Sequence, residues 1–267
     1  MRFSATAWLA HISNALVSVV LPAPCRICDQ LLTRASRVPI CDECLASFER
    51  LPPGICLVCG SPLLVFGDAA DRESQCPACA KKVYAFERAR SFGFYDRALV
   101  RAVLLLKFER IEPLGAWFAE KLAEIVERES ELLRADVVVP VPLHRVRERE
   151  RGYNQAELLA KPLARRLKVP YQSALLMRTR PRPDKQVLSL DERWESVRGA
   201  FATRPGSQVD NRRVLLVDDV MTTGATLDAC TRALREAGAK AVIGLTVARA
   251  VREPAATSGA DDPRNAR

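Results

Sequence analysis

The stretch that decides the fold is Val214-Leu-Leu-Val-Asp-Asp-Val-Met-Thr-Thr-Gly-Ala-Thr226. Its apolar start predicts a buried strand, an acidic pair follows, and a loop of hydroxyl residues and glycine leads into a helical pattern. A strand, a loop and a helix in this order make an anion site, because the backbone N–H groups at the helix N-terminus point towards a phosphate. We therefore predict that a phosphate is bound by Met221, Thr222, Thr223, Gly224, Ala225 and Thr226.

The acidic pair inside this stretch indicates what carries the phosphate. Two carboxylates would repel a bare phosphate, whereas they can accept hydrogen bonds from two adjacent sugar hydroxyls. Asp218 and Asp219 therefore predict a ribose 5-phosphate as the ligand. A plain helix cap would explain one Asp or one Thr but not the whole set. The ordinary P-loop is excluded, since the sequence contains no Gly-x-x-x-x-Gly-Lys.

Short apolar runs alternate with helical patterns after the first third of the chain, which predicts an α/β fold with a mostly parallel sheet. The predicted strands lie at 137–141, 174–177, 214–217 and 241–247, after an aromatic, strand-like stretch at 84–95. The predicted helices lie at about 96–108, 113–133, 154–167 and 226–237. Prolines and charges interrupt this alternation between 178 and 206, so we predict a long functional loop there.

Nine cysteines occur in the chain, and eight of them form Cys-x-x-Cys pairs in its first third. Two residues between thiolates let one tight turn present both sulfurs to one ion, and two such pairs suit one tetrahedral zinc. This layout favours structural zinc over iron–sulfur or redox chemistry, while sequential and interleaved pairing both stay open. Cys230 stands apart and is interpreted as a buried core thiol. The predicted zinc ligands are Cys25, Cys28, Cys41, Cys44, Cys56, Cys59, Cys76 and Cys79.

The segment from Val214 to Thr226 resembles the binding motif of the type I phosphoribosyltransferases at almost every position. The resemblance implies a Rossmann-like core topped by a hood, with phosphoribosyl diphosphate as ligand. It also implies Mg²⁺, bound chiefly by the diphosphate and the ribose hydroxyls of that ligand.

The same resemblance implies where the diphosphate lies and which residues act on it. Its place is the turn after the strand at 137–141, where Leu143, His144 and Arg145 are the candidates, and the planar fork of an arginine suits a diphosphate. His144 could act as a general acid or serve as a polar turn residue. In the related enzymes a mobile loop closes over the diphosphate, and here it would carry Arg178, Arg180, Arg182, Lys185 and Gln186. The implied catalytic residues are Asp218, Asp219, Arg145 and Lys185.

Several further motifs narrow the resemblance to the ComF family over about residues 20 to 250. Together with the cysteine pairs they are Leu106-Lys107-Phe108, Pro140-Val-Pro-Leu-His-Arg145, Arg151-Gly-Tyr-Asn-Gln155 and Gly199-Ala-Phe201. The family resemblance implies a role in natural transformation, the uptake of external DNA as a single strand. The partners implied are single-stranded DNA and the helicase or recombination proteins of DNA uptake. One motif departs from the family pattern, because this chain has Arg193-Trp-Glu-Ser196 where the family commonly has Arg-x-x-Asn.

The formal net charge is +9, and most of it lies in one part of the chain. Between Arg134 and Lys185 there are 13 Lys or Arg and 5 Asp or Glu, a net of +8. Thirteen cations are more than one diphosphate requires, so a nucleic-acid path across this face is predicted. Tyr153 and Tyr171 are the aromatic residues of this segment. Contact through phosphates is therefore favoured over the reading of bases.

Four regions are predicted along the chain. Residues 1–22 form an amphipathic helix, which packs on the protein or touches a membrane surface, and residues 23–82 form a double zinc-ribbon module. Residues 83–252 form the phosphoribosyltransferase-type domain, and residues 253–267 form a disordered tail. Polar residues such as His11 and Asn14 interrupt the N-terminal stretch. The sequence thus predicts no signal peptide and no membrane-spanning segment. It predicts a cytoplasmic location.

Three other functions compete with a ligand-binding DNA-uptake protein. The first is an active phosphoribosyltransferase with a nucleobase or amine acceptor. The second, glutamine-dependent amidophosphoribosyl transfer, is disfavoured because the chain begins Met1-Arg2-Phe3 and lacks an N-terminal cysteine nucleophile. The third is a zinc-ribbon nucleic-acid adaptor without ligand binding, which the Asp218–Asp219 pair and the threonine loop disfavour.

Overall fold

The structure is a computed structural model that describes residues 23–34, 36–63, 74–181, 189–207 and 209–251. The predicted N-terminal helix, the predicted tail and Lys185 lie outside the described residues. The strands are β1 (Arg88–Phe94), β2 (Val137–Pro140), β3 (Leu176–Arg178), β4 (Phe201–Thr203), β5 (Arg213–Met221) and β6 (Ala241–Arg249). The helices are α1 (Asp42–Ala46), α2 (Pro77–Ala80), α3 (Arg97–Phe108), α4 (Glu112–Arg128), α5 (Arg145–Arg151), α6 (Gln155–Leu167), α7 (Leu190–Glu195) and α8 (Ala225–Glu236).

The core of the molecule is a four-stranded sheet in the order β1-β6-β5-β2, with every neighbouring pair parallel. Its inner strands are runs of Val, Leu, Ile and Ala, and β6 is buried along its whole length, as expected for parallel strands covered on both faces. Leu215 packs into one hydrophobic core and Leu216 into a second one, so the two cores lie on opposite faces of the sheet. The predicted α/β class with a parallel sheet is confirmed.

Two strands differ from the sequence prediction. The buried strand that begins near Val214 continues to Met221, so the acidic pair lies inside β5 and not in a loop after it. The apolar run at 174–177 gives β3, but β3 pairs antiparallel with β4 in a separate two-stranded sheet. The sequence lacked a signal for this pairing because each strand has only three residues.

The predicted long loop between 178 and 206 contains regular structure. It includes α7 and β4, while residues 182–188 lie outside the described part of the chain. Helix α7 begins with a capping box, in which the side chains of Ser189 and Glu192 each accept a hydrogen bond from the backbone N–H of the other. The prediction of a loop was therefore wrong for 190–195 and 201–203, although the Ser-x-x-Glu signal was present in the sequence.

The cysteine-rich segment covers the exposed edge of the sheet at β1. The N–H of Ala89 donates to the carbonyl of Val58 at 2.6 Å, and the N–H of Phe94 donates to that of Glu49 at 2.9 Å. Gly60 has φ of +67°, and a Cβ there would lie 2.7 Å from the oxygen of Ala89, so only glycine permits this approach. The segment thus satisfies backbone groups that an edge strand would otherwise leave open.

The two groups of cysteines pack on different faces of the sheet. Cys25 and Cys44 belong to the core that contains Phe118 of α4. Cys56, Cys59 and Cys79 belong to the other core, with Phe86 and Met221. The cysteine-rich segment therefore straddles the sheet edge, and its second half lies beside the end of β5.

The remaining helices agree with the sequence patterns to within a few residues, except that α4 ends at Arg128 where the pattern extended to 133. The chain turns at Glu129, whose carbonyl accepts hydrogen bonds from the N–H groups of Leu132 and Leu133. Within the described ranges, the structure has no helix that combines the length and the apolar character needed to cross a membrane.

Candidate functional site

Three chain segments meet at the carboxyl edge of the parallel sheet. Pro140 at the end of β2 pairs with Val217 of β5, and Met221 at the end of β5 pairs with Arg249 at the end of β6. In open α/β sheets ligands bind at this edge, where the loops leave the strands. The predicted phosphate loop and the predicted diphosphate turn thus leave neighbouring strands on the same side.

The acidic pair lies in the buried part of β5, near the C-terminal end of this strand. Asp218 is 9% exposed and Asp219 is 4% exposed, and the N–H of Asp219 donates to Oδ1 of Asp218 at 2.9 Å. Burial and the neighbouring Asp219 carboxylate raise the pKa of Asp218 to about 8. Two buried carboxyl groups side by side are unfavourable without a partner, so their presence indicates a site built to accept hydrogen bonds.

Lys107 supplies positive charge to this pair from α3. Its Nζ lies 3.2 Å from Oδ2 of Asp219. Burial disfavours the ammonium, but Asp219, Tyr95 and Asp218 together outweigh burial and raise the pKa of Lys107 above its ordinary value. In the sequence Lys107 stands out only as part of a family motif, because nothing local shows that α3 reaches the end of β5.

The loop after β5 has the shape of an anion cradle. Gly224 is the N-cap of α8 and has φ of +82°, a left-handed conformation that favours glycine. A Cβ on Gly224 would lie 2.8 Å from Cε of Met221 and 2.8 Å from Cε1 of Tyr84. Thr222, Thr223 and Thr226 are half-buried, and the N–H of Ala225 donates to Oγ1 of Thr223 at 3.3 Å.

Tyr84 and Asp228 tie the segment before β1 to the loop and to α8. The hydroxyl of Tyr84 donates to the carbonyl of Thr223 at 2.9 Å, and burial raises the pKa of Tyr84 to about 12. Asp228 of α8 accepts from the N–H of Ala85 at 2.6 Å and pairs with Arg232 at 2.8 Å. Tyr84 stacks on Phe86 and on Trp194 of α7. The segment before β1 therefore fixes the loop, which the sequence did not reveal.

The predicted diphosphate turn leads directly into a helix. His144 caps α5, and its Nδ1 accepts from the N–H of Val146 at 3.4 Å. Leu143 is half-buried, while Arg145 is exposed and forms no ion pair with any other described residue. Asn154 is buried; its Nδ2 donates to the carbonyl of Val141 at 3.0 Å, and its Oδ1 caps α6. Asn154 thus ties the end of β2 to α6.

The basic residues predicted to close over the diphosphate are only partly within the described chain. Arg178 of β3 stacks on the ring of Phe201, with its Cζ 5.2 Å from the ring centroid. Its Nε also donates to the carbonyl of Arg180 at 2.9 Å. Arg182, Lys185 and Gln186 lie outside the described residues.

The eight paired cysteines form two groups in sequential order. One contains Cys25, Cys28, Cys41 and Cys44, the other Cys56, Cys59, Cys76 and Cys79, and the sulfurs of each group lie within 4.8 Å of one another. Interleaved pairing is thereby excluded. The sulfurs of Cys28 and Cys41 are 3.7 Å apart and those of Cys59 and Cys76 are 3.6 Å apart. A tetrahedral zinc with Zn–S bonds of about 2.3 Å places its sulfurs roughly 3.8 Å apart, so both groups fit zinc.

Backbone donors lower the pKa of one thiol in each cysteine group. The N–H of Cys41 donates to the sulfur of Cys25 at 3.3 Å, and that of Cys76 donates to Cys56 at 3.3 Å. Burial opposes ionisation, yet these and further backbone donors lower the pKa of Cys25 to about 6 and that of Cys56 to about 7. Metal ligation requires the thiolate, so the donor set suits zinc. Cys230 is fully buried in α8, as predicted.

Arg249 links the second cysteine group to the carboxyl edge. It is 5% exposed, and its Nη2 donates to Oγ of Ser61 at 2.6 Å and lies 3.8 Å from the sulfur of Cys59. Among the described residues no carboxylate pairs with Arg249, and its Nε and Nη1 are buried without a hydrogen-bond partner. A buried guanidinium needs nearby negative charge, which the thiolates of this group would provide with a metal bound.

Comparisons with known proteins identify the family of this chain. The family model for the phosphoribosyl transferase domain matches residues 154–262. Competence protein F of Haemophilus influenzae is 29% identical over 211 residues, which cover 76% of this chain and 87% of that protein. The DNA utilization protein YhgH of Salmonella typhimurium is 32% identical over 227 residues, which cover 84% of this chain and 96% of that protein. This chain belongs to the ComF family.

A further ComF-family relative is competence protein ComFC of Bacillus subtilis, 28% identical over 208 residues, which cover 76% of this chain and 81% of that protein. The predicted type I phosphoribosyltransferase fold and the predicted cysteine clusters of the zinc-ribbon kind are thus confirmed for this ComF-family chain. The sheet brings the predicted phosphate loop, the acidic pair and the predicted diphosphate turn to one edge.

Proposed function

We propose that this protein binds phosphoribosyl diphosphate together with Mg²⁺ at the carboxyl edge of its sheet. The observation that carries the proposal is the buried pair Asp218 and Asp219, which stands directly before a glycine-threonine loop at a helix N-terminus. The loop suits the 5-phosphate because of its N–H donors, and the pair suits the two ribose hydroxyls.

Neighbouring segments would bind the other parts of the ligand. Leu143, His144 and Arg145 follow β2 on the same edge, and the exposed guanidinium of Arg145 suits the diphosphate. Lys185 is the residue we assign to the closing loop. Mg²⁺, when bound with the ligand, would neutralise diphosphate charge. Lys107, whose Nζ lies 3.2 Å from Oδ2 of Asp219, would orient this carboxylate until the ribose arrives.

Calorimetric titration with phosphoribosyl diphosphate and Mg²⁺ tests this proposal. We expect binding by the wild type and its loss in Asp218→Asn/Asp219→Asn, which keeps side-chain volume. Glu236→Gln is the matched control, because Glu236 is an exposed carboxylate at the end of α8. A zinc-loaded wild type that binds no ligand would contradict the proposal.

We further propose that the protein assists DNA uptake and handles incoming single-stranded DNA in the cytoplasm. Its relatives are named competence and DNA utilization proteins. The net charge of +8 between Arg134 and Lys185 suits a phosphate backbone, and protein partners would be the helicase or recombination proteins of uptake. Anisotropy with labelled single strands should show affinity that falls steeply with salt. Affinity independent of salt would contradict this role.

Each cysteine group is proposed to hold one structural zinc. The support is the tetrahedral spacing of the sulfurs and the short helices and turns of a segment that has little core of its own. Elemental analysis of the purified protein should find two zinc ions per chain. Fewer than one would contradict the assignment.

A second candidate is transfer of the phosphoribosyl group to a nucleobase or amine. It is favoured by Asp218, whose pKa of about 8 lies near the pH at which a general acid or base works best. Release of diphosphate from the ligand in the presence of an acceptor would support transfer. If the ligand binds but no diphosphate is released with any of a panel of acceptors, transfer is contradicted and only the DNA-handling function stands.

A further inference from the structure

The exposed face of α3 carries a narrow stripe of arginine and apolar residues. Arg97, Arg101, Leu104 and Phe108 stand at i, i+4, i+7 and i+11, which places them on one side of a helix, and all four are exposed. We call these four residues the α3 stripe. It runs for about 16 Å at 1.5 Å per residue.

Phe108 is unusual among the aromatic residues of the described chain. It is 68% exposed, while every other described aromatic residue is buried or half-buried. The guanidinium of Arg151 lies 5.2 Å from its ring centroid. Leu104, one helical turn away, is 36% exposed. An exposed ring flanked by arginine is the arrangement on which single-stranded nucleic acids stack their bases.

The backbone around Phe108 is held by hydrogen bonds to Tyr153. Tyr153 donates from its hydroxyl to the carbonyl of Leu106 at 3.0 Å and accepts from the N–H of Arg110 at 2.9 Å. Lys107, the residue before the ring, is paired with Asp219. The stripe therefore ends beside the acidic pair, and the backbone on both sides of Phe108 is held without a bound ligand, which lowers the entropic cost of binding.

The charge of α3 matches a phosphate backbone. The helix Arg97–Phe108 contains three cations and no Asp or Glu. Arg97 and Arg101 form no ion pair with other described residues, so both guanidinium groups are available to phosphates. Bases in a duplex are already stacked on each other, so a ring at this place favours an unpaired strand.

We propose that the α3 stripe binds single-stranded DNA, with Arg97 and Arg101 on the phosphates and Phe108 stacked on a base. The strand would thereby reach the mouth of the phosphoribosyl site. This inference rests on the proposed function, since it assigns a surface to the DNA that the protein is proposed to handle. It adds a base contact that the sequence analysis did not predict for this protein.

The test compares two substitutions of the ring on two kinds of strand. Phe108→Leu keeps an apolar side chain but removes the aromatic face, and Phe108→Trp keeps and enlarges it. Full-length variants with wild-type zinc content are titrated by anisotropy with a labelled oligothymidylate and with an abasic strand of equal length. Since a stacked base contributes about 5- to 150-fold in affinity, Phe108→Leu should lose that factor on oligothymidylate and little on the abasic strand. Phe108→Trp should bind oligothymidylate at least as tightly as the wild type.

The arginines are tested through the salt dependence. Arg101→Gln should weaken both strands and reduce the slope of log affinity against log salt by about one. The control is Lys240→Gln, because Lys240 is an exposed cation at the opposite edge of the sheet, before β6. Its slope should equal that of the wild type. Equal slopes for Arg101→Gln and Lys240→Gln would overturn the phosphate contact.

The outcomes separate this inference from the function on which it rests. If the wild type binds neither strand, the proposed DNA role fails and the inference fails with it. If the wild type binds oligothymidylate and Phe108→Leu binds it equally well, the DNA role stands and the stripe is overturned. A third result is that a free nucleobase displaces the strand from the wild type but not from Phe108→Leu. That result would mean that the ring binds the acceptor base of a transferase, and it would also overturn the inference.

Discussion

Tyr84 donates a hydrogen bond from its hydroxyl to the carbonyl of Thr223, at 2.9 Å, and thereby joins the segment before β1 to the phosphate loop. Its ring also leaves no room for a side chain at Gly224, where a Cβ would lie 2.8 Å from Cε1 of Tyr84. The same ring packs against the core that contains Cys56, Cys59 and Cys79. The second cysteine group and the loop that would hold the 5-phosphate are therefore packed around one tyrosine.

The Tyr84 hydroxyl is expected to support ligand binding without touching the ligand. Tyr84→Phe keeps the ring but frees the carbonyl of Thr223, and one such hydrogen bond contributes about 0.5–1.5 kcal/mol. We expect the Kd for phosphoribosyl diphosphate to rise by a factor of about 2 to 12, measured by calorimetry. Tyr171→Phe is the matched control, because Tyr171 lies beside Val138 near the start of β2. An equal effect of the two changes would contradict the prediction.

Loss of metal at the two cysteine groups should have different effects on ligand binding. Cys76→Ser removes a ligand of the group that packs against Tyr84 and Met221, whereas Cys28→Ser removes one from the group that packs on α4. Each variant should hold one zinc fewer than the wild type. We expect the Cys76 variant to bind phosphoribosyl diphosphate more weakly than the Cys28 variant, in titrations at a temperature where both are folded. Weaker binding by the Cys28 variant than by the Cys76 variant would show that packing of the second cysteine group against Tyr84 does not affect ligand binding.

Lys107 is expected to stabilise the fold through Asp219. Lys107→Met leaves the buried Asp219 carboxylate without its cation, and breaking a buried pair costs about 3–5 kcal/mol; partial exposure of Lys107 places the expected loss at or below the lower end. Denaturant unfolding at neutral pH measures it. Lys107→Met/Asp219→Asn should recover most of the loss, because it removes the uncompensated charge. A double variant no more stable than Lys107→Met would contradict this explanation.

The stability of the ligand-free protein should fall with rising pH because of Asp218. Burial and Asp219 raise the pKa of Asp218 from 3.8 to about 8 in the folded state. Between these values the folded state binds more protons than the unfolded state, so the free energy of unfolding decreases as pH rises. Asp218→Asn cannot titrate and should lose this slope, gaining stability relative to the wild type towards pH 8. Parallel stability curves for the two zinc-loaded proteins between pH 5 and pH 8 would contradict the prediction.

The sequence predicted those parts of the site that are local in the chain. The strand, the acidic pair and the loop to Thr226 are contiguous, so their chemistry could be interpreted from residue types and order alone. Lys107 and Tyr84 could not be placed, because their contacts with Asp219 and Thr223 depend on how α3 and the segment before β1 pack on the sheet. Phe108 was likewise visible only as a motif residue until the structure showed its exposure.

Arg249 is expected to strengthen zinc binding at the second cysteine group. Its buried guanidinium faces Cys59 and Ser61 and has no carboxylate partner among the described residues. Four thiolates and one zinc carry a net charge of about −2, which a neighbouring cation stabilises. Arg249→Met should therefore weaken the second site by about 10- to 100-fold, the usual effect of removing a group that supports a metal ligand.

Zinc release from Arg249→Met to a chelator should become biphasic, with one ion lost faster and the other at the wild-type rate. Arg213→Met, which disturbs a pair with Glu87 at the opposite edge of the sheet, should leave both rates unchanged. A single wild-type release rate in Arg249→Met would show that the guanidinium serves the core and not the metal.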